Sequence, residues 1–192
     1  MKQLRGTPLK RFLRGMQPPS PTELAIVCQI VAYPVNVVSI FRIADALDAS
    51  EVVLTGITPR PPHPTISKVG RDKDRRVPWR YVDRPETALE ELKAKGFWIA
   101  ALEVTDECQP YYATDYAQRV ALVLGNEDHG VTRACLALCD AAVYVPMYGK
   151  GRSLNVHVSL AVVGYHLLHH SAYRVPAVSY THLRAHETSH AL

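Results

Sequence analysis

Residues 145–159 read VPMYGKGRSLNVHVS, and this stretch is the one that decides the fold class. A short strand is predicted to end at Pro146, a glycine-containing loop follows, and a long apolar helix is predicted over 154–170. Ser153 is the natural N-cap of that helix, because its hydroxyl can accept a hydrogen bond from a first-turn amide. Arg152 adds a cation beside the positive end of the helix dipole. This position is mildly unfavourable, so we expect another pressure to retain the arginine.

The segment 122–130, LVLGNEDHG, also carries an apolar strand into a turn before a helix. Gly125 lets the backbone approach a ligand, and exposed amides beside it could hold an adenosine group. The plain alternative is a β-turn that precedes a helix after Gly130. The glycine spacing is neither a dinucleotide fingerprint nor a Walker-type phosphate loop.

A third segment, 36–42 or NVVSIFR, joins a strand to a helix. Asn36 is predicted to cap a helix that runs to about Leu47, with Asn36 and Arg42 both bordering a cleft above the strand ends. An ordinary N-cap followed by a surface arginine is the alternative, and this segment alone favours it. His157 and Ser159 interrupt the long apolar helix and are interpreted as satisfied polar groups of the core or of an interface.

Strands alternate with helices along the chain, which indicates an α/β fold with a parallel sheet covered on both sides. A helix is predicted from Pro85 to Gly96, the usual asymmetry of proline at the start and glycine at the end. Cofactors in such folds bind beyond the carboxyl ends of the strands. Apolar strands are predicted at 24–31, 51–55, 97–102, 120–124 and 143–145.

Three parts of the chain differ in composition. Residues 1–21 form a basic arm that ends in a proline-rich break, and 22–175 form one compact domain. Residues 176–192 follow the last helix without a periodic apolar pattern, so we interpret them as a non-native or disordered tail.

The 192-residue chain has a formal net charge of +4, and its cations are unevenly placed. One basic cluster lies in the arm and another at 68–80, a distribution that suits a polyanion whose phosphates are met at several points. A solubilising tail and a solvated loop are the alternative reading. The expected RNA-binding residues are Lys10, Arg11, Arg14, Arg71, Arg75, Arg76 and Arg152.

The four cysteines contain no CxxC pair and are interpreted as reduced structural thiols. Cys135 and Cys139 lie one helical turn apart, but no nearby histidine or cysteine completes a metal set, so we expect no metal. No apolar run reaches the ~20 residues needed to span a bilayer, and the N-terminus lacks the apolar stretch of a signal peptide. We therefore expect a soluble, cytoplasmic protein without a membrane partner.

Taken together, the three segments resemble the signature motifs of the SpoU/TrmH branch of the SPOUT methyltransferases. They match an Asn-to-Arg first motif, an LGxExxG second motif and a PMxGxxxSLNVxVS third motif, and the resemblance covers roughly residues 22–170. One departure is Val38, where many members carry glycine. The resemblance implies a parallel-sheet SPOUT fold with a C-terminal deep trefoil knot, a homodimer, and S-adenosyl-L-methionine as cofactor.

The implied reaction is 2′-O-ribose methylation of structured RNA. A tRNA is the first expectation, with guanosine 18 of the D-loop before other tRNA sites and rRNA. The resemblance implies a catalytic set of Arg42, Asn36, Glu127, Ser153 and Asn155. The implied cofactor-binding residues are Leu102, Leu124, Gly125, Val145, Met147, Gly149, Ser153 and Leu154.

Arg42 is the usual candidate for the general base in this family. A guanidinium stays protonated far above neutral pH, so we favour Arg42 as a clamp on a phosphate and a stabiliser of the developing alkoxide. Two rival functions remain to be weighed. A non-catalytic RNA-binding protein on the same fold is disfavoured because all the motif residues are present. A nucleotide-dependent oxidoreductase is disfavoured because its glycine pattern and ribose-binding acid are absent.

Overall fold

The computed structural model describes residues 3–15, 22–69 and 76–174 of the chain. In this part of the chain, seven strands form one sheet in which every neighbouring pair is parallel. The strands are β1 (Glu23–Cys28), β2 (Glu51–Thr55), β3 (Trp79–Val82), β4 (Trp98–Leu102), β5 (Gln109–Pro110), β6 (Arg119–Leu124) and β7 (Ala141–Tyr144). The predicted α/β class with a parallel sheet is therefore confirmed.

In the described part of the chain, helices alternate with most of the strands and cover both faces of the sheet. The strand order is β3-β2-β1-β6-β4-β7-β5. The helices are α1 (Gly6–Gly15), α2 (Pro34–Ala46), α3 (Pro64–Val69), α4 (Pro85–Ala94), α5 (Arg133–Leu136) and α6 (Val156–Arg174), with a 3₁₀ turn at Tyr111–Ala113.

The central strands are buried on both faces, which explains their unbroken apolar sequences. In β1 the side chains of Leu24, Ile26 and Cys28 enter the core that includes α2 and α6. Those of Ala25 and Val27 enter the second core, which includes α4 and α5. Each fully buried leucine or isoleucine contributes about 1.5–3 kcal/mol of transfer free energy. These two cores fix the sheet between its helical layers.

The pairing of β1 with β6 sets the position of the candidate site. These strands are in register from Glu23–Arg119 to Cys28–Leu124. On its other edge β6 pairs with β4, and β4 pairs with β7. The carboxyl ends of β6, β4 and β7 therefore lie side by side.

Strand prediction was correct for the buried strands and failed where the chain leaves the core. The strand predicted to reach Val31 ends at Cys28, because the backbone at Ile30 turns with a φ of +58°. That conformation is strained for a β-branched residue. The strand predicted at 143–145 is Ala141–Tyr144. Neither β3 nor the two-residue β5 was predicted.

Both predicted N-caps are wrong. Helix α2 begins at Pro34, so Asn36 lies in its first turn, where it is buried. Helix α6 begins at Val156, so Ser153 lies ahead of the helix. Asn155 takes the capping position, and its side-chain oxygen accepts a hydrogen bond from the His157 amide at 3.3 Å.

The helix predicted from Pro85 is confirmed as α4. Proline stands in its first turn, and Gly96 follows the C-cap with a φ of +82°, a conformation that glycine adopts without strain. The helix predicted after Gly130 is the short α5, which Thr132 caps through its side chain.

The basic arm contains the helix α1, whose described side chains are all exposed. Leu9, Phe12 and Leu13 recur at helical spacing and share one face. The proline-rich break at 18–21 and the tail 176–192 lie outside the described residues, so the domain boundaries stay predictions. None of the described helices has the length and apolar character needed to cross a bilayer.

Candidate active site

A cleft of about 540 Å³ opens at the carboxyl ends of β4, β6 and β7. Its volume lies within the range of small-molecule sites, and its position is the one expected for a cofactor in an open parallel sheet. Four stretches of chain line it: 102–104, 125–130, 143–145 with Met147, and 152–156. The second and third sequence segments therefore meet at one site.

The turn after β6 is held closed by Asn126. Its backbone pairs with Gly130 through hydrogen bonds of 3.1 and 2.8 Å. Its side-chain oxygen accepts hydrogen bonds from the amides of Asp128 and His129, at 3.0 and 3.1 Å. Its side-chain nitrogen donates to the carbonyl of Ile30 at 2.9 Å. The turn is thereby tied to the strained backbone that follows β1.

The turn itself requires glycine at position 125, apart from any approach of a ligand. A Cβ atom at Gly125 would overlap the backbone of Gly130 and Val131. The close approach that Gly125 allows is therefore also an approach of the chain's own backbone, in addition to the predicted approach of a ligand. Asn126 was missed in the sequence, although an asparagine that bonds to the backbone two residues ahead is a recognised turn signal.

Glu127 anchors the beginning of α2 to this turn. One carboxylate oxygen accepts a hydrogen bond from the Ala32 amide at 2.8 Å. The other accepts from the Tyr33 amide at 3.2 Å and from the Asn36 side chain at 2.6 Å. Partial burial alone would raise the pKa of Glu127, but these hydrogen bonds outweigh it and lower the pKa below its ordinary value. The carboxylate is therefore held in its ionised form.

Asn36 also contacts the third segment, through His157. Its side-chain oxygen lies 3.2 Å from Nδ1 of His157. Because the amide nitrogen of Asn36 donates to Glu127, Nδ1 of the histidine is assigned as the donor to that oxygen. Partial burial lowers the pKa of His157, which favours the neutral ring. The chain Glu127–Asn36–His157 joins all three sequence segments.

Most of the expected cofactor-binding residues line the cleft, and two do not. Leu124 is fully buried below the cleft, and Gly149 lies in the exposed loop outside its lining. The expected residues in the lining are Leu102, Gly125, Val145, Met147, Ser153 and Leu154.

Of the five expected catalytic residues, three line the cleft and two do not. Glu127, Ser153 and Asn155 line the cleft, whereas Asn36 reaches it only through its hydrogen bond to Glu127. Arg42 is exposed on α2, outside the cleft lining, and its guanidinium makes no hydrogen bond or ion pair with the described residues.

The expected RNA-binding cations lie on separate parts of the surface. Lys10, Arg11 and Arg14 are exposed on α1. Arg152 is exposed at the cleft and Arg76 is exposed before β3. The remaining two, Arg71 and Arg75, lie outside the described residues.

Two further polar side chains hold the turn after β6, and neither was identified from the sequence. The side-chain oxygen of Gln29 accepts a hydrogen bond from the Thr132 amide at 2.8 Å. The carboxylate of Glu103 accepts one from the Val131 amide at 2.8 Å. Both residues directly follow a buried apolar strand, and a polar residue at that point was an available signal.

The lining has the mixed chemistry that a nucleoside carrying a positive charge would require. Leu102, Val145, Met147 and Leu154 provide apolar surface for a flat base. Glu103 and Glu127 provide negative charge and hydrogen-bond acceptors. The residues present therefore fit S-adenosylmethionine, which combines an adenine ring with a sulfonium.

Comparison with known proteins agrees with this arrangement. The model of the SpoU rRNA Methylase family matches residues 23–165. The tRNA (guanosine(18)-2′-O)-methyltransferase of Thermus thermophilus is 30% identical over 155 residues, which cover 81% of this chain and 77% of the relative. A 23S rRNA (guanosine-2′-O-)-methyltransferase of Ralstonia nicotianae is 32% identical, with 80% of this chain and 60% of the relative covered.

A solved structure has the same fold. The SpoU methyltransferase AviRb of Streptomyces viridochromogenes, in complex with AdoMet, matches with a TM-score of 0.71 at 22% identity. The match covers 84% of this chain and 65% of that one. The chain thus spans somewhat less than two thirds of the length of AviRb and of the Ralstonia enzyme.

The hydrogen bonds of Glu127 predict an acid-dependent loss of stability. A group whose pKa is lowered by folding stabilises the protein above its unfolded pKa, about 4.3 for glutamate, and loses this effect as the pH falls through the folded pKa. The Glu127→Gln substitution removes the negative charge. It also places the NH₂ group of glutamine, a donor, against backbone N–H groups that are donors themselves. We expect the variant to be less stable near neutral pH, because the hydrogen bonds to the carboxylate are lost. The loss is limited to about 1–2 kcal/mol, since the carboxylate is partly exposed to solvent.

Urea unfolding from about pH 3 to about pH 7 measures this difference. The gap between wild type and Glu127→Gln should be constant above about pH 5 and should narrow as the pH falls. The exposed Glu90, on α4, is the matched control, and Glu90→Gln should change stability little at any pH. A gap that stays constant down to acid pH would contradict the assignment.

Proposed function

We propose, from the membership of this chain in the SpoU rRNA Methylase family, that it methylates a ribose 2′-hydroxyl in structured RNA. By that membership it is an RNA 2′-O-methyltransferase, and S-adenosylmethionine is its cofactor. A tRNA is the proposed substrate, with guanosine 18 the first candidate and other tRNA sites and rRNA next. The relatives named above include enzymes of both RNA classes, and the one that the chain covers most fully acts on tRNA guanosine 18.

One observation carries the proposal. The second and third motif segments line a single cleft, and Asn36 of the first segment is bonded to both of them, through Glu127 and His157. Such convergence of three separate segments on one cleft is expected of a single functional site.

The cofactor is proposed to bind in this cleft. Leu102, Val145 and Leu154 would hold its adenosine part, with Gly125 and Met147 beside them. The expected roles of Leu124 and Gly149 at the cofactor stay proposals. The bound cofactor supplies a methyl group on a positively charged sulfur, which is transferred to a nucleophilic oxygen.

The chain has to position the ribose hydroxyl and assist the loss of its proton. Ser153 and Asn155 lie at the cleft and are proposed to orient the ribose. Arg42 is proposed to contact the neighbouring phosphate and to stabilise the developing alkoxide. Its exposure argues against a role as base, because an arginine loses its proton only under strong desolvation.

Two further features of the architecture, the oligomeric state and the knot, are also proposed. We propose that the chain forms a homodimer and that its C-terminal part forms the family's trefoil knot. The dimer is supported by apolar side chains left exposed on α6 and beside it: Val158 is 38%, Tyr165 48% and Tyr112 54% exposed. A particle mass of one chain in light scattering would contradict the dimer, and an unthreaded backbone in a crystal structure would contradict the knot.

The deciding experiment is methyl transfer from labelled S-adenosylmethionine to unmodified tRNA and to rRNA. Nuclease digestion and mass analysis of the nucleosides should give a 2′-O-methylnucleoside from tRNA, and mapping its position identifies the target. Methylation of rRNA alone would overturn the tRNA proposal. Cofactor binding with RNA binding but no transfer would support the rival, a non-catalytic RNA-binding protein.

Arg42→Lys tests the electrostatic role of the guanidinium. Lysine keeps the charge but loses the planar pair of donors that grips a phosphate, so we expect kcat to fall about 10²–10³-fold. Cofactor affinity should stay unchanged, because Arg42 does not line the cleft. Arg84→Lys, at an exposed arginine that precedes α4, is the control. Near-full turnover by Arg42→Lys would refute the role.

The arm is tested through the salt dependence of RNA binding. Replacing Arg11→Gln together with Arg14→Gln removes two exposed cations from α1. If each meets a phosphate, the slope of log affinity against log salt should fall by about two, with weaker binding at low salt. Arg84→Gln should leave the slope unchanged. An unaltered slope in the double variant would remove the arm from the interface.

A further inference from the structure

Glu103 is an acidic residue of the cleft to which the catalytic assignment gives no role. It follows Leu102, the last residue of β4, and it lines the cleft together with Leu102 and Val104. Since β4 lies between β6 and β7, Glu103 stands at the middle of the edge where the cofactor is proposed to bind.

The carboxylate of Glu103 is held in place by the backbone. One oxygen accepts a hydrogen bond from the Val131 amide at 2.8 Å, and the other accepts from the Val104 amide at 3.0 Å. A Cβ atom at Gly130 would overlap this carboxylate, so the turn after β6 packs directly against it. The group is therefore preorganised, and little side-chain entropy remains to be lost when a ligand binds.

Each carboxylate oxygen retains capacity to accept a further hydrogen bond. An ionised carboxylate has about four acceptor positions, and the backbone amides occupy one on each oxygen. No lysine, arginine or histidine in the described part of the chain forms an ion pair with Glu103. Its negative charge therefore faces the cleft without a cation from the described protein residues.

We propose that Glu103 binds the ribose of the cofactor by accepting hydrogen bonds from its two adjacent hydroxyl groups. Two neighbouring donors suit a carboxylate that offers one free acceptor position on each oxygen. An acid beyond a parallel strand serves the same purpose in dinucleotide-binding sheets, although there it follows a glycine-rich loop that this chain lacks. The inference rests on the proposed cofactor site and is independent of the RNA target.

A different role is open to the same carboxylate, which is to neutralise a positive charge on the ligand. The two roles differ in the atoms they require. A ribose contact loses one of its two hydrogen bonds when either hydroxyl is removed, whereas a charge contact does not depend on the hydroxyls. Ligands with and without each hydroxyl therefore separate the two roles without relying on a variant protein.

The experiment is calorimetric measurement of Kd for S-adenosylhomocysteine and for its 2′-deoxy and 3′-deoxy counterparts. The full chain is used as wild type and as Glu103→Gln. Wild type should bind each deoxy compound about 10- to 100-fold more weakly, as expected for a hydrogen bond to a charged acceptor. Glu103→Gln should weaken S-adenosylhomocysteine by at least a similar factor and each deoxy compound by less, because each deoxy compound has only one of the two hydrogen bonds left to lose. Glu107→Gln, which removes an exposed acid outside this cleft, should change none of the three.

Equal affinity of the wild type for all three ligands would overturn the ribose contact, even if Glu103→Gln failed to fold. Equal weakening of all three ligands by Glu103→Gln would overturn it in favour of a structural role, or of a contact with the charged amino group that all three ligands share. In both cases binding of S-adenosylhomocysteine would leave the proposed function standing. No binding of any of the three by the wild type would overturn the inference and the proposed cofactor site together.

Discussion

The carboxylate of Glu127 joins parts of the chain that are about ninety residues apart. It accepts hydrogen bonds from the backbone of Ala32 and Tyr33 and from the side chain of Asn36, which lie 95, 94 and 91 residues earlier. An ionised carboxylate accepts hydrogen bonds without donating and has about four acceptor positions, so it can serve three donors at once. The position of α2, and with it that of Arg42, depends on this group. The same oxygen atoms therefore fix α2 in the fold and position Arg42, the residue proposed to act at the ribose.

The parallel sheet explains why the polar residues of the site are concentrated at one edge. Strands that are buried on both faces have no place for a charge along their length, because an unpaired charge in the core is costly. Polar side chains begin where the strands end, at Gln29 after β1, Glu103 after β4 and Asn126 after β6. Each of the three makes a hydrogen bond to backbone outside its own strand. The floor of the cleft is thus apolar, and its rim is a network of fixed acceptors and donors.

The sequence predicted the elements that depend on burial and missed those that depend on contacts between distant residues. The strands at 51–55 and 120–124 and the helix from Pro85 could be predicted because their apolar pattern and end signals are local. The cap at Asn36 was assigned wrongly because local propensity did not include Glu127, which accepts a hydrogen bond from the Asn36 side chain. The cap at Ser153 was placed two residues too early, since Asn155 occupies that position. The half-buried β3 has no period that marks it as a strand, and its pairing with β2 alone defines it. Local signals do not indicate such partners.

The pairing of β1 with β6 also affects how the chain is made. Hydrogen bonds between Glu23 and Arg119 connect residues 96 positions apart, so the central pair of the sheet cannot close until most of the domain has left the ribosome. Contacts this distant in sequence slow folding, because a long loop must be closed before the contact stabilises the chain. Until then one edge of β1 is an unpaired apolar strand, which is prone to associate with other chains. The nascent protein therefore stays prone to association with other chains for longer than a chain of the same length whose contacts are local.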